Sequence, residues 1–353
     1  MAKFPEAGKI QNEFFNDIIF PKTGKQRPEV ITGPQYGVDV AVIRLPGGMA
    51  MAVSSDPLTL IPSLGLQESA WLSVQILAND IVTTGFAPQY AQFVLNLPVT
   101  LTTTDFDTYW GFIHQYCSNI GIAITGGHTG QVVGQNSTVA GGGTMFTVAP
   151  EDLLLTSAMA RAGNAIIVTK QCALTATSIL AMSFPETVKQ KAGVEVYQKA
   201  CDLFYDTTSL KDGLVAALAS ECCKQVTAMH DVTEGGVLGA IYEMATASNC
   251  GANINNDVLP IGDVQQSVCD VFNIDPRFVV GAGSMIIAVQ DGEKEKVLQR
   301  LTDNQIEATV VGHFTENRTE KTLYDKGIAA PLIHPGTDAY WQAFYHAFSN
   351  KYK

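Results

Sequence analysis

The sequence predicts an α+β protein built as two domains, and three observations carry that prediction. A chain of 353 residues is longer than the roughly 300 at which a single hydrophobic core tends to split. It is 46% apolar and 16% charged with a mean hydropathy of +0.12, so it buries a core rather than staying disordered. Helix-like and strand-like stretches alternate along its whole length, with a new series starting after Pro150. Residues 1–35 therefore read as an N-terminal arm, 36–150 as the first domain and 151–353 as the second.

The arm mixes Pro5, Gly8, Pro21, Gly24, Pro28, Gly33 and Pro34 with an apolar patch from Phe14 to Phe20, which predicts an extended segment enclosing a short helix. The stretches from Val38 to Arg44 and from Met49 to Ser54 flank Pro46-Gly47-Gly48 and read as paired strands, leaving Asp56 just beyond a strand end. A long apolar run from Ser69 to Thr84, stopped by Gly85 and Pro88, reads as a helix with Asn79 and Asp80 inside it. Tyr90 to Leu97 reads as a strand, Asp105 to Ile120 as a helix ended by Gly121, and Thr138 to Ala149 as a glycine-rich strand.

In the second half, strands are expected at Ala165 to Thr169, Val226 to Met229, Ser284 to Val289 and Ala308 to Phe314. Helices are expected around Thr175 to Met182, Glu195 to Tyr205, Leu210 to Cys222 and Glu293 to Leu301. Between Gly235 and Ala247, Leu238, Ile241 and Ala245 share one helical face. The aromatic residues Tyr340, Trp341, Phe344, Tyr345 and Phe348 predict a terminal helix from Asp338 that packs on the second domain.

With 34 acidic and 22 basic residues the net charge is −12, which repels phosphate backbones and anionic lipid and argues against a nucleic-acid partner. No apolar stretch reaches the roughly 18 residues of a membrane span, and Met1 to Lys9 lacks a signal-peptide pattern. A cytosolic protein without a membrane partner is the expectation. The seven cysteines (Cys117, Cys172, Cys201, Cys222, Cys223, Cys250, Cys269) include no CxxC pair, which suggests neither a disulfide framework nor a thiolate metal cage. The vicinal Cys222 and Cys223 bridge only with strain and read as part of a helix face.

The chemistry-bearing segments combine acids with glycines. Asp39, Asp56 and Asp80 are single aspartates of the kind that a fold gathers around Mg2+; taken alone, Asp39 and Asp56 serve equally as turn or cap residues and Asp80 as an exposed carboxylate. Asp80, set among Leu77, Ala78, Ile81 and Val82, needs a cation or donors if it is buried. Gly126-Gly127 lets the backbone approach an anion or simply makes a tight turn, whereas Gly141-Gly142-Gly143 reads as close sheet packing. Gly235 and Gly236 open a helix, where free N–H groups suit an anion and close packing is the alternative. His230 beside Asp231 fits either a general base or a hydrogen-bonded strand end.

The ordered set Ser54-Ser55-Asp56, Ala78-Asn79-Asp80, Gly85-x-x-Pro88, Asp231-x-Thr233-x-Gly235-Gly236-Val237, Gly251-Ala252-Asn253-Ile254 and Leu259-Pro260 resembles the aminoimidazole-ribonucleotide synthetase-like, or PurM-like, ATP-binding superfamily. Within it the chain is most similar to the hydrogenase-maturation protein HypE. The resemblance implies an N-terminal mixed-sheet domain that binds ATP and forms a homodimer, with a C-terminal α/β sandwich domain closing the ATP cleft. It assigns Mg2+ to Asp39, Asp56 and Asp80, and nucleotide contacts to Gly126, Gly127, His128, Thr129, Asn79, Gly235 and Gly236. Asp56, Asp231 and Lys9 become the catalytic candidates, Lys9 as a point charge toward phosphates.

Two departures qualify the resemblance. HypE carries its substrate on a C-terminal cysteine, whereas this sequence ends Ser349-Asn350-Lys351-Tyr352-Lys353. Selenophosphate synthetase places a cysteine or selenocysteine three residues before an arm lysine; Glu6-Ala7-Gly8-Lys9 keeps only the lysine, although His128 matches that enzyme's Gly-Gly-His form. The implied activity is ATP- and Mg2+-dependent phosphorylation or dehydration of a small substrate or a protein-bound group. A thiamine-monophosphate-kinase-like enzyme and a non-catalytic nucleotide-binding maturation partner are the alternatives. The scattered Lys170, Lys211 and Arg277 count against a kinase acting on a phosphorylated vitamin.

Overall fold

The arm adds more than an extended segment: after the short helix α1 (Asn12–Phe14) it supplies strand β1 (Val30–Thr32) to the edge of a sheet. The computed structural model describes residues 8–10, 12–134, 140–218 and 225–353. Strands β2 (Ala41–Arg44) and β3 (Met49–Pro57), helix α2 (Leu66–Val82), β4 (Tyr90–Pro98), α3 (Thr103–Asn119), β5 (Ala123–Val132) and β6 (Ala140–Pro150) complete the first half. The sheet order is β1-β2-β3-β6-β4-β5. Helix α3 carries the chain back so that β5 runs parallel to β4, while the other pairs are antiparallel. Its N-terminus is capped by Thr102, whose side chain accepts from the Asp105 N–H at 3.1 Å.

Alternate residues of β4, namely Ala91, Phe93, Leu95 and Leu97, are buried in one cluster with Leu77 and Ile81 of α2 and Tyr109 and Ile113 of α3. That period of two sets which face of the sheet the helices cover. The expected packing role of the triple glycine holds. A Cβ on Gly141 would lie 2.0 Å from the Val94 carbonyl, and one on Gly143 2.2 Å from Leu77.

The second half runs β7 (Asn164–Thr169), α4 (Leu174–Ser183), α5 (Pro185–Ala192), α6 (Val194–Asp202), α7 (Leu210–Ala217), β8 (Val226–Asp231) and α8 (Gly236–Ala247). It continues through β9 (Gly251–Asn255), α9 (Asp263–Phe272), β10 (Met285–Gln290), α10 (Lys294–Asp303), β11 (Ala308–Thr315), β12 (Lys321–Asp325), β13 (Ile328–Pro331) and α11 (Ala339–Ser349). Its sheet has the order β13-β12-β9-β11-β7-β10-β8. Ile166, Val168, Ala228 and Ile286 pack against Val237, Leu238, Ile241 and Met244 of α8. On the other face, Ile167, Met229 and Ile287 meet Ala216 of α7 and Val297 and Leu301 of α10. With both faces covered, β7 is an unbroken apolar run without alternation.

The α+β class is as the sequence predicts, and α11 buries Tyr340 and Ala347 among Phe184, Phe204 and Phe272. Three boundaries differ in ways that matter for function. β3 continues through Asp56, β8 continues through His230 and Asp231, and the segment around Gly126 is strand β5 rather than a loop. Cys222 and Cys223 lie outside the described residues; Cys117, Cys172, Cys201, Cys250 and Cys269 are free thiols. Among the described residues no helix is long and apolar enough to cross a membrane.

Candidate functional site

The end of β3, the last turns of α2, the segment before β2 and the end of β8 bring four aspartates into mutual electrostatic contact. Asp56 comes from β3, Asp80 from α2, Asp39 from the approach to β2, and Asp231 from β8. Burial first, then the charge of Asp231, pushes Asp56 up to about 7. Asp80 is held well above the ordinary carboxylate range by burial and by Asp56, Asp231 and Asp39, although the Ser54 hydroxyl donates a hydrogen bond to it. Asp231 is raised by burial, with contact to His230 opposing the shift. Buried carboxylates that oppose one another's ionisation are the electrostatic mark of a site that takes a cation or a proton.

A second layer surrounds them. The imidazole of His230 lies 3.0 Å from Asp39 Oδ1 and 3.8 Å from Asp231 Oδ1 through Nδ1, and 3.4 Å from Glu243 Oε2 through Nε2. Burial disfavours its charged form, yet the charge of Asp39 and the contacts with Asp231 and Glu243 outweigh that and raise it. The Ser157 hydroxyl donates to the other oxygen of Asp39 at 2.7 Å. Glu243, on α8, also meets Lys9 Nζ at 3.2 Å and His334 Nε2 at 3.2 Å. Burial would raise its carboxyl, but Lys9 and the two histidines hold it well below the usual range. The Lys9 backbone N–H donates to Glu234 Oε2 at 2.7 Å, so the arm is fixed at both its backbone and its side-chain amine.

Of the residues that the sequence singles out, Asp39, Asp56, Asp80, Asp231 and Lys9 are thus gathered together. The remaining ones are not. Asn79 is fully buried; its side-chain amide donates to the Thr207 carbonyl and its oxygen accepts from the Ser209 N–H. Both ends of the amide are used to tie α2 to the segment before α7. Gly235 and Gly236 also have partners within the chain. The Gly235 N–H donates at 2.8 Å to Asp338, the N-cap of α11, and the Gly236 N–H to the Thr233 carbonyl. At the N-terminus of α8 the N-cap N–H is thus taken by the chain's own carboxylate.

Gly126, Gly127, His128 and Thr129 stand exposed on β5, the edge of the first sheet. Gly127, at φ +146°, is required by packing, since a Cβ there would stand 1.9 Å from the Phe93 carbonyl. The expected loop is a bulged strand, with a register shift opposite Ala91 and Gln92.

Glu243, His334 and Ser157 join the cluster and are residues that sequence reading does not single out. Glu243 carries a legible signal in retrospect: it is a carboxylate on the helix whose neighbours Ile241, Met244 and Ala245 are buried, and the argument applied to Asp80 applies equally to it. His334 comes from a connecting segment and carries no such pattern.

With this geometry in place, comparisons define the relatives. The AIR synthase related protein N-terminal domain matches residues 37–149 and its C-terminal domain residues 161–325. A hydrogenase expression/formation protein of Methanocaldococcus jannaschii is 36% identical over 94 residues, a stretch covering 26% of this chain and 28% of that protein. Carbamoyl dehydratase HypE of Rhizobium leguminosarum is 24% identical over 295 residues, covering 78% of this chain and 77% of that one. Among solved structures, a HypE-HypF complex superposes with a TM-score of 0.73 at 17% identity, covering 91% of this chain and 99% of its counterpart. HypE in complex with ATP superposes with a TM-score of 0.64 at 16% identity, covering 95% and 99%.

Proposed function

Since the chain belongs to the AIR synthase related protein family, we propose that it is an ATP- and Mg2+-dependent enzyme that phosphorylates or dehydrates a small substrate or a protein-bound group. The observation that carries this reading is the convergence of Asp56 and Asp80 from the first sheet and its helix with Asp231 from the second, close enough that the charge of Asp231 opposes the ionisation of Asp56. ATP in a HypE structure and the dehydratase activity named for a HypE relative support it. A HypE captured with HypF supports a protein-bound group as one form of substrate.

The residues fit the cation that such an enzyme uses. Both oxygens of Asp231 are buried without a hydrogen-bond partner among the described residues, and four clustered carboxylates are the hard oxygen donors that Mg2+ and phosphates require. Asp56, Asp80, Asp231 and Asp39 would hold Mg2+, which when bound neutralises charge on the transferred phosphoryl group. Ser54 fixes the rotamer of Asp80, and Ser157 that of Asp39. Lys9, whose side chain is 45% exposed and paired with Glu243, offers the cleft a positive charge for phosphate oxygens.

Lys9 Nζ and the imidazoles of His230 and His334 are all engaged by Glu243, which suits a neutral second substrate better than a phosphorylated one. Exposed Tyr90 and Val94 on β4, with Val132 on β5, offer the apolar sheet face that a homodimer would cover. The test is turnover of ATP by wild type and Asp56→Asn, with the nucleotide product identified. ADP release by wild type that is lost in Asp56→Asn supports the assignment. Equal turnover by the two proteins removes Asp56 from the site.

A further inference from the structure

We propose that Lys170 is a positioning residue for the reaction in this cleft: it clasps residues 207–209 to the start of β10 and so sets the spacing between Asp80 of the first half and Asp231 of the second. The inference deepens the proposed function and rests on it. Lys170 directly follows β7, with its backbone in the left-handed region at φ +54°. A residue other than glycine keeps that conformation where the surrounding contacts over-determine it. Here its backbone N–H donates to the Glu307 carbonyl. Its amine donates to the Thr208 carbonyl at 2.6 Å and to the Gly283 carbonyl at 2.8 Å, and lies 3.0 Å from Asp212 Oδ2.

Both carbonyls lead to the site. On one side, helix α2 grips residues 207–209 with a single face, because Trp71, Gln75 and Asn79 stand four residues apart. Trp71 Nε1 donates to Thr207 Oγ1 at 3.0 Å, and Gln75 Oε1 accepts from Thr208 Oγ1 at 2.7 Å. Asn79, immediately before Asp80, bonds the Thr207 carbonyl and the Ser209 N–H. On the other side, Gly283 stands two residues before Met285, which pairs with Asp231 across β10 and β8. The Ser284 carbonyl accepts from the Val232 N–H at 3.1 Å. A Cβ on Gly283 would lie 2.2 Å from the Asp206 carbonyl, so the two segments touch beside the lysine.

The ion pair and the clasp are separable. Asp212 is buried, and the oxygen that meets Lys170 also accepts from Thr169 Oγ1 at 2.6 Å. An asparagine with its oxygen in that place keeps both contacts, so the charge is removed while the amine stays on its two carbonyls. Removing the amine frees both carbonyls instead. The α2 contacts are several, and the loss of one leaves others; the amine is shared between the two segments. Reacting groups misplaced by about 1 Å lose roughly a hundredfold in rate, so a slack clasp is expected to lower kcat before it weakens nucleotide binding.

The experiment compares Asp212→Asn with the double variant Lys170→Met/Asp212→Asn, which removes the amine without leaving a buried carboxylate unpaired. Steady-state turnover of ATP with Mg2+ gives kcat and KM, and hydrogen exchange of the proteins without nucleotide or metal follows the Ser209 and Val232 amides. The account expects Asp212→Asn to keep kcat within about threefold of wild type, and the double variant to lose about tenfold or more in kcat at a KM for ATP within about threefold. In the double variant the Ser209 and Val232 amides exchange faster together, while those of β4 keep their wild-type rates. Equal kcat in the two variants overturns the proposal, as does a raised KM with kcat unchanged, or faster exchange that extends through β4. If the double variant does not fold, wild type decides: Ser209 and Val232 amides that open with one free energy as urea is raised uphold the clasp, and separate openings overturn it. Turnover that the double variant keeps in full leaves the proposed function standing without the clasp. Absence of turnover in wild type, with the paired exchange response intact, does the reverse.

Discussion

Glu243 and Lys9, 234 positions apart in sequence, meet at 3.2 Å and so join helix α8 to the N-terminal arm beside the aspartate cluster. The glutamate is 2% exposed and the lysine 45%, and this asymmetry sets what each contributes. Glu243→Gln strips the partner from buried His230 and is expected to destabilise the fold by about 2–4 kcal/mol. Lys9→Met, at a partly solvated position, is expected to cost about 1 kcal/mol or less. Urea denaturation of the two variants checks the order; a larger loss from Lys9→Met would contradict it.

Asp56 makes the stability of the metal-free protein depend on pH. Its carboxyl is raised to about 7 in the fold, against roughly 3.9 in an unfolded chain. Between those values the native state keeps a proton that the unfolded state has lost, so this residue's contribution to stability falls as pH rises from about 4 to about 7. Asp56→Asn should remove that part of the slope, leaving the variant increasingly the more stable of the two toward pH 7. Adding Mg2+ should restore wild type at the high end. Melting temperatures of both proteins across this range, with and without Mg2+, make the test, and parallel curves would count against the assignment.

Asn79 separates packing from cofactor binding. Its two hydrogen bonds, to the Thr207 carbonyl and from the Ser209 N–H, are buried, so Asn79→Ala is expected to cost about 1–3 kcal/mol. The KM for ATP in the surviving folded protein should stay near that of wild type. A raised KM with unchanged stability would return Asn79 to the nucleotide site.

Gly127 is expected to tolerate no side chain. A Cβ 1.9 Å from the Phe93 carbonyl forces β5 away from β4, so Gly127→Ala should lower the melting temperature and increase amide exchange along Tyr90–Pro98. Gly126, where a Cβ meets nothing within 4 Å, is the control and should change exchange in β4 far less. Equal effects from both would place the cause in backbone conformation rather than in the contact.

The sequence is most legible where one physical rule acts alone. Helix α2 stops near Gly85 and Pro88, α8 shows its face through Leu238, Ile241 and Ala245, and α11 begins at Asp338, because stop signals and periodicity are local. Asp80 is legible too, since a carboxylate among Leu77, Ile81 and Val82 must find a partner. Gly126 and Gly127 mislead because a glycine that permits a turn also permits a bulged, closely packed strand. At Gly235 the helix N-terminus attracts an anion as the sequence suggests, and the carboxylate it meets is Asp338, which only the tertiary fold brings near. Glu243 and His334 owe their roles to the same long-range assembly.

The most direct test of the account is calorimetric titration of the protein with ATP in the presence and absence of Mg2+, repeated with Asp56→Asn. The account predicts binding that requires Mg2+ and is lost or greatly weakened in the variant. Failure to bind at millimolar ATP with Mg2+ present, or binding that ignores both the cation and Asp56, would contradict it.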